Sequence, residues 1–97
     1  MKAVFISYNQ SLTDEVQDIL DKLFIKGYSQ WLGIKGRGTV SGDPHEGTHV
    51  WPELNNAHLT IVEDEKVTPL LNRLDALNKE VEEQGLRAFV WNIENSI

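Results

Sequence analysis

The sequence contains no cysteine. Disulfide scaffolds, cysteine-based zinc sites, iron–sulfur clusters and thiol catalysis are therefore excluded. Long apolar runs are absent too, since no run approaches the roughly 18 residues that suggest a membrane span. The first residues lack the apolar segment and small-residue cleavage site of a signal peptide. We therefore expect a cytoplasmic protein without membrane insertion.

Positive charge is scarce: 9 lysines and arginines stand against 15 acidic residues, for a net charge of −6. Nucleic-acid binding depends mainly on Lys and Arg contacts with phosphate, and no basic stripe is present. We expect no nucleic-acid partner and no affinity for an anionic membrane surface. The hydrophobic fraction of 40% and charged fraction of 25% are typical of a globular protein. A chain of 97 residues predicts one domain over 1–97.

Hydrophobic periodicity predicts four strands and two helices in the order β-α-β-β-α-β. The strands are predicted at Lys2–Tyr8, Tyr28–Ile34, Ala57–Glu63 and Leu86–Ile93. The first helix is predicted at Leu12–Lys26, with Ser11 as N-cap and Gly27 as its stop. The second is predicted to start between Asp64 and Thr68, with Pro69 in its first turn, and to end at Gly85. This order predicts a ferredoxin-like α+β sandwich.

The predicted sheet has two apolar faces. Right-handed crossovers place both helices on one face of a four-stranded antiparallel sheet. Val4 and Ile6 of the first strand then lie on one side of the sheet and Phe5 on the other. In the fourth strand, Val90 and Trp91 likewise lie on opposite sides. A large bare apolar patch marks an interaction surface, and each buried side chain is worth on the order of 2 kcal/mol. We expect self-association through the sheet; the alternative is that the long loop covers it within one subunit.

The segment Lys35–Asn56 has no sustained periodicity and is predicted to be a long loop between the second and third strands. Loops of about 20 residues inside a compact domain are usually functional or disordered. This one keeps Val50 and Trp51, so it is more than a solvated linker. Elsewhere, no serine lies in a G-x-S-x-G context and most carboxylates lie on solvated helix positions. We therefore predict no catalytic activity.

Candidate metal ligands cluster in this loop. His45 and His49 have an H-x3-H spacing, and Glu53 follows four residues later. Imidazole with carboxylate suits zinc, copper, nickel or iron. The alternative is that these histidines are exposed or hydrogen-bonded. His58, on a predicted strand, is interpreted as a structural residue.

Candidate anion-binding residues follow the second strand. Gly36 and Gly38 would allow backbone N–H groups to approach a phosphate, and Arg37 between them adds a bidentate donor. Arg87, just after Gly85, could reach an anion from another loop. A plain turn explains the two glycines equally well.

The topology, the long loop and the segment Ile34–Gly38 resemble the PII signal-transduction superfamily. In that family the second strand ends in a V-x-G-x-G segment, and the following loop is the T-loop that docks on partner proteins. The segment Gly85–Val90 is similar to the family's G-x-K-I-F-V strand, with Arg87 at the position of a phosphate-binding lysine. The resemblance implies a homotrimer with effectors such as adenine nucleotides in clefts between subunits.

Three departures from the family pattern narrow this interpretation. The glycine-rich loop before the last strand is reduced to Glu83–Gly85, and the C-terminal Arg-x-Arg segment has no counterpart. The T-loop signature is replaced by Thr39–Glu53. The chain is therefore similar to the divergent PII-like proteins, some of which are associated with heavy-metal efflux transporters.

The resemblance leads to a non-enzymatic regulatory protein as the first hypothesis. It would sense a metal ion or nucleotide and act through residues 35–56 on a partner such as a membrane transporter. The first alternative is a trimeric divalent-cation tolerance protein of CutA type, which shares the architecture. A small ferredoxin-like enzyme such as an acylphosphatase is the second, and the absence of that family's G-x-V-Q-G-V loop counts against it.

Overall fold

The computed structural model of the chain describes residues 1–37, 44–45, 54–81 and 85–97. The strands are β1 (Lys2–Asn9), β2 (Ser29–Ile34), β3 (Gly36–Arg37), β4 (Pro44–His45), β5 (Asn55–Val62) and β6 (Arg87–Asn92). The helices are α1 (Thr13–Lys22), preceded by a 3-10 turn at Gln10–Leu12, and α2 (Asp64–Glu80). The predicted order of long elements is confirmed. The structure adds two short strands, β3 and β4, inside the segment predicted as loop.

The long strands form one four-stranded sheet in the order β2-β5-β1-β6, and every neighbouring pair is antiparallel. In the central strand, Val4 lies opposite Thr60 on one side and Val90 on the other. The two helices belong to the same α+β unit, so the ferredoxin-like architecture predicted from the sequence is confirmed. β3 and β4 form a separate two-stranded ladder.

The core lies between the helices and one face of this sheet. β1 contributes side chains that alternate along the strand, as the period of two requires. Their apolar partners come from the inward stripes of both helices. The fully or almost fully buried members are Val4, Ile6, Tyr8, Val16, Leu20, Leu70 and Leu74.

Helix α1 ends earlier than predicted, at Lys22 rather than Lys26, and Gly27 is not its stop. Phe24 adopts the left-handed conformation, with φ of 59°. Its N–H donates to the carbonyl of Asp21 (3.0 Å), and the Ile25 N–H donates to the carbonyl of Leu20 (2.9 Å). This pair of bonds is a Schellman motif, in which an exposed phenylalanine takes the position that glycine usually occupies.

The other helix ends also differ from the prediction. Asn9, rather than Ser11, caps the chain before α1, because its side chain accepts the Ser11 N–H at 2.8 Å. Helix α2 begins at Asp64, which places Pro69 in its second turn, and it ends at Glu80 rather than at Gly85. Neither described helix has the length and apolar character needed to cross a bilayer.

Strand β2 contains a β-bulge. Trp31 lies opposite Ala57 and Ile34 opposite Asn55, so β2 carries one extra residue over this interval. Gly33 lies within the bulge with φ of +64°, a conformation that costs little only for glycine. Because of the extra residue, the side chains that follow the bulge change faces relative to the strict alternation of a regular strand. A bulge also bends its strand, here just before the chain continues into β3.

Candidate ligand site and assembly face

The face of the sheet opposite the helices is apolar and incompletely covered. Phe89 is 57% exposed, Trp91 49%, Trp31 45% and Ile61 44%. The rings of Phe5 and Trp31 lie 6.4 Å apart at 54°, in a tilted contact that extends the patch across the sheet. The prediction that the helices cover only one of two apolar faces is confirmed for the described residues.

The β3–β4 ladder joins two of the predicted sites. Gly36 pairs with His45, and Arg37 with Pro44. The first residues of the predicted anion segment and one predicted metal ligand therefore lie side by side in backbone register. Gly38, His49 and Glu53 lie outside the described residues. Within the described part of the chain, no three potential metal-ligating side chains come together.

Gly36 is closely approached by the neighbouring strand. A β-carbon at this position would lie 2.4 Å from the Asn55 side-chain nitrogen, closer than real contacts allow. Glycine therefore lets β3 pass against the start of β5. The two glycines of the G-x-G pattern were predicted to serve an anion; this contact gives the first of them a packing role as well.

Arg87 lies on the edge of the sheet opposite to β2, the strand that leads into β3. It is the exposed first residue of β6, opposite Ser7, and its guanidinium donates to the Leu86 carbonyl at 2.8 Å. β2 and β6 are the two edges of the sheet, separated by three strand spacings or roughly 14 Å. The end of β2, which leads to Gly36, and the start of β6 at Arg87 thus lie at one end of the sheet but on opposite edges.

A shallow cleft of about 270 Å³ lies between α2 and β6 beside Arg87. Asn78 contributes to it, and its buried Oδ1 has no hydrogen-bond partner among the described atoms. Asp75 on the same wall forms an ion pair with Lys79 at 3.0 Å. Residues of α2 and of the start of β6, among them Asn78 and Arg87, therefore line this cleft together.

His58 is buried among polar groups on the helix side of the sheet. Its Nδ1 hydrogen-bonds the Tyr8 hydroxyl at 2.8 Å, and the Tyr28 ring meets the imidazole at a centroid distance of 4.8 Å. Burial lowers the pKa of His58 and raises that of Tyr8, because both charged forms lose hydration. Both groups are therefore neutral near pH 7. This environment agrees with the structural role predicted for His58 rather than with a metal ligand.

The residues that build the base of the loop were not predicted from the sequence. Gly33 N–H donates to Asn56 Oδ1 at 2.8 Å, and Asn55 lies against Gly36. Asn55 and Asn56 were predicted to end the loop, but both belong to β5. One signal was available: an isolated glycine inside a strand pattern indicates a bulge.

No family model and no curated protein matches the sequence. Solved structures do match. CPII from Thiomonas intermedia K12, bound to ADP and bicarbonate, is 24% identical with a TM-score of 0.76, covering 95% of this chain and 84% of that one. A PII-like signalling protein from Thermus thermophilus is 25% identical with a TM-score of 0.67, covering 95% and 85%. The apo form of CPII is 17% identical with a TM-score of 0.67, covering 95% and 89%.

These likenesses extend over nearly the whole chain in both directions. They concern the backbone, since at most a quarter of the aligned residues are identical. The PII-like resemblance predicted from Ile34–Gly38 and Gly85–Val90 is therefore confirmed at the level of the fold.

Proposed function

Because the chain has the fold of PII-like proteins, and this likeness supports its assignment to that superfamily, we propose that it is a non-enzymatic regulatory protein. It would bind a small anionic effector between subunits of a homotrimer and act on a partner protein through residues 35–56. PII-like neighbours that are signalling proteins support the regulatory role. We propose that residues 1–97 form one regulatory domain.

The open face supports the assembly. Soluble monomers rarely leave several large side chains bare on one contiguous face. Phe89 and Trp91 lie on β6 and Trp31 on β2, so the patch reaches both edges of the sheet. A second and third copy of the same face would cover these side chains without any other partner.

One observation carries the ligand site: β2, which leads into Gly36 and Arg37, is one edge of the sheet, β6, which begins at Arg87, is the other, and the end of β2 and the start of β6 lie at the same end. The two edge strands are roughly 14 Å apart, at three strand spacings, which is more than a single small anion spans. Two subunits packed through the open face could bring one copy's β3 next to its neighbour's β6. The site is therefore proposed to be formed by Gly36, Arg37 and Gly38 of one copy with Arg87 of another.

ADP is the first candidate effector. CPII, which has the same fold, is described bound to ADP together with bicarbonate. The guanidinium of Arg87 would contact the phosphates, with the backbone N–H groups of β3 and Gly38 as further donors. The effector would act by binding more tightly to one arrangement of the loop than to others, since only such a difference in affinity can shift the population.

The partner is proposed to be a protein in the cytoplasm or on its boundary, such as a membrane transporter that the loop contacts. The acidic composition supports a protein rather than a nucleic acid. Measuring the affinity for a candidate transporter, with and without ADP, tests this part. An affinity that is the same in both conditions contradicts it.

Calorimetric titration tests the effector. We expect ADP to bind with a dissociation constant below about 1 mM, equivalent to about −4 kcal/mol. Arg87→Gln should weaken binding about tenfold or more, because a charge-assisted hydrogen bond is lost. Arg73→Gln, the same change of charge on the exposed surface of α2, is the matched control and should leave the affinity within about twofold.

Light scattering tests the assembly. We expect a trimer, and Phe89→Lys should give single subunits because it places a charge on the open face, at a side chain that is 57% exposed in one copy. This variant should keep its circular dichroism spectrum and lose ADP binding. A Phe89→Lys monomer that binds ADP as tightly as the native chain would overturn the intersubunit site.

The metal hypothesis remains a separate proposal for His45, His49 and Glu53. Its support is the sequence spacing and the position of His45 beside Gly36 in the β3–β4 ladder. Zn²⁺ and Cu²⁺ titrations against the native chain and a His45→Ala/His49→Ala variant test it. Full metal affinity in the variant rules these ligands out. Tight metal binding without any effect on a partner would favour the CutA-type alternative.

A further inference from the structure

Asn56 connects the two strands that flank the loop. It is only 6% exposed, at the start of β5 on the side of the sheet that faces the helices. Its Oδ1 accepts the Gly33 N–H at 2.8 Å, and its Nδ2 donates to Thr13 Oγ1 at 2.8 Å. One buried amide thus contacts the bulge of β2 and the first residue of α1.

The contact of Asn56 with Thr13 belongs to a ring of hydrogen bonds that the backbone from Leu54 to Asn56 closes. Thr13 Oγ1 donates to the Gln10 carbonyl at 2.6 Å, and the Gln10 N–H donates to the Leu54 carbonyl at 2.9 Å. Leu54 precedes β5 and therefore leads the chain back to Asn56. The end of β2, the start of β5 and the start of α1 are all held by this ring.

The bulge that Asn56 contacts determines the path into β3. Gly33 takes a left-handed conformation there, and its N–H donates a hydrogen bond to the Asn56 side chain. β3 begins only three residues later, at Gly36. A change in the bulge would therefore move Gly36 and Arg37 relative to the end of the sheet.

We infer that Asn56 is a positioning residue for β3: its amide fixes the bulge at Gly33 and so holds Gly36 and Arg37 where the effector binds. The effector part of this inference rests on the proposed function. The structural part does not, since the bond from Gly33 to Asn56 can be measured without any ligand. Asn56 itself acts through the backbone and does not touch the effector.

The test compares Asn56→Leu with Thr60→Val. Asn56→Leu keeps the approximate size of the side chain and removes both hydrogen bonds. Thr60 lies on the same strand and face, and its hydroxyl donates to the Gly27 carbonyl at 2.5 Å, away from the loop. Thr60→Val therefore removes a buried bond of the same kind without touching the bulge, and is the matched control.

The first measurement is amide hydrogen exchange at Gly33, relative to the slowest-exchanging amides of β1. We expect Asn56→Leu to accelerate Gly33 exchange about tenfold more than it accelerates the β1 amides, and Thr60→Val to change both equally. Asn56→Asp keeps the acceptor for Gly33 and should retain most of the protection. Equal acceleration of Gly33 and β1 in Asn56→Leu would overturn the inference.

The second measurement is ADP affinity by calorimetry, at a temperature at which all variants are folded. Asn56→Leu should weaken ADP binding about fivefold, and Thr60→Val should leave it within about twofold. Similar losses in both variants would overturn the positioning role. If the native chain binds no ADP, the proposed function fails, and the Gly33 exchange comparison still decides whether Asn56 fixes the bulge.

Should Asn56→Leu fail to fold, Thr13→Val is the second variant. It removes the hydroxyl that orients the Asn56 amide and leaves the bond to Gly33 possible. The same selective acceleration at Gly33, of smaller size, is expected. If Thr13→Val does not selectively accelerate amide exchange at Gly33, the ring is not what holds the bulge.

Discussion

On β1, Val4 and Ile6 face the helices and are fully buried, whereas Phe5 between them faces the other way and is only partly covered. The same contrast holds on β6, where Val90 packs against the core and Trp91 is 49% exposed. Both faces are therefore apolar by sequence, and among the described residues large apolar side chains stay exposed on the face opposite the helices. The composition of a strand face does not reveal whether helices, a loop or another subunit covers it.

The covered face also contains buried polar groups. His58, Thr60 and Asn56 lie at alternate positions of β5, all facing the helices. Each has at least one hydrogen bond, His58 to Tyr8, Thr60 to Gly27 and Asn56 to Gly33. The face that stabilises the fold is thus partly polar, while the face left bare is dominated by aromatic and aliphatic side chains.

The largest expected effect is a cavity under the helices. Leu20→Ala should lower the free energy of unfolding by about 3 kcal/mol, because Leu20 is fully buried in the core. Leu32→Ala makes the same chemical change at a side chain that is 69% exposed, and should cost less than about 1 kcal/mol. Urea denaturation at equal protein concentrations measures both. Equal losses of unfolding free energy in the two variants would show that Leu20 and Leu32 do not differ in burial as described.

A smaller effect is expected on the pH dependence of the folding stability. Because burial lowers the pKa of His58 below its ordinary value of 6.5, the unfolded chain takes up a proton below that pH before the folded chain does. The stability is therefore full above about pH 6.5 and falls toward acid until the folded pKa is passed, by at most about 1.4 kcal/mol per pH unit.

His58→Gln, which keeps an acceptor for Tyr8 but does not titrate, isolates this contribution. Denaturation from about pH 7.5 to about pH 5 should give a shallower loss for the variant than for the native chain. Parallel curves would mean that the His58 proton is not linked to folding.

The smallest effect concerns the bulge, where the alternation between the two faces is broken. Gly33→Ala should destabilise the chain by about 1 kcal/mol, because φ of +64° is strained for alanine. Gly27 has open space around its Cα, so Gly27→Ala is the control and should be neutral or slightly stabilising. Thermal unfolding of the two variants, compared with the native chain, distinguishes them. A neutral Gly33→Ala would mean that β2 can re-register without the bulge.

Much of this architecture could be predicted from local patterns. The alternation of Val4, Phe5 and Ile6 predicted a strand with two apolar faces, and the helical spacing of Val16 and Leu20 predicted the inward stripe of α1. The i,i+4 spacing of Asp18 with Lys22 and of Asp75 with Lys79 favours ion pairs on a helix, and both pairs are present, at 2.9 Å and 3.0 Å. These features depend on residues close together in sequence, where periodicity is informative.

The features that were wrong or missed depend on distant residues. Lys26 was predicted to be helical because glycine is the usual stop, but the helix ends before Phe24, and the carbonyl of Leu23 accepts the Lys66 ammonium of α2. Asn56 was predicted to belong to the loop, and its role became visible only with Gly33 and Thr13 beside it. The positions of the strands around the predicted anion residues were also missed: β2, which leads to Gly36, and β6, which begins at Arg87, are opposite edges of the sheet, and a shared anion site stays a prediction.

By itself, the sequence determined the order of the elements, the two apolar sheet faces and the exclusion of thiol chemistry, since each follows from residue type and spacing. Only the tertiary structure decided where the helices end, which side chains form the ring around Asn56, and that β2 and β6, the strands next to Gly36 and Arg87, are opposite edges of the sheet. Those outcomes depend on contacts between segments far apart in the chain, and a linear pattern carries no measure of distance between such segments.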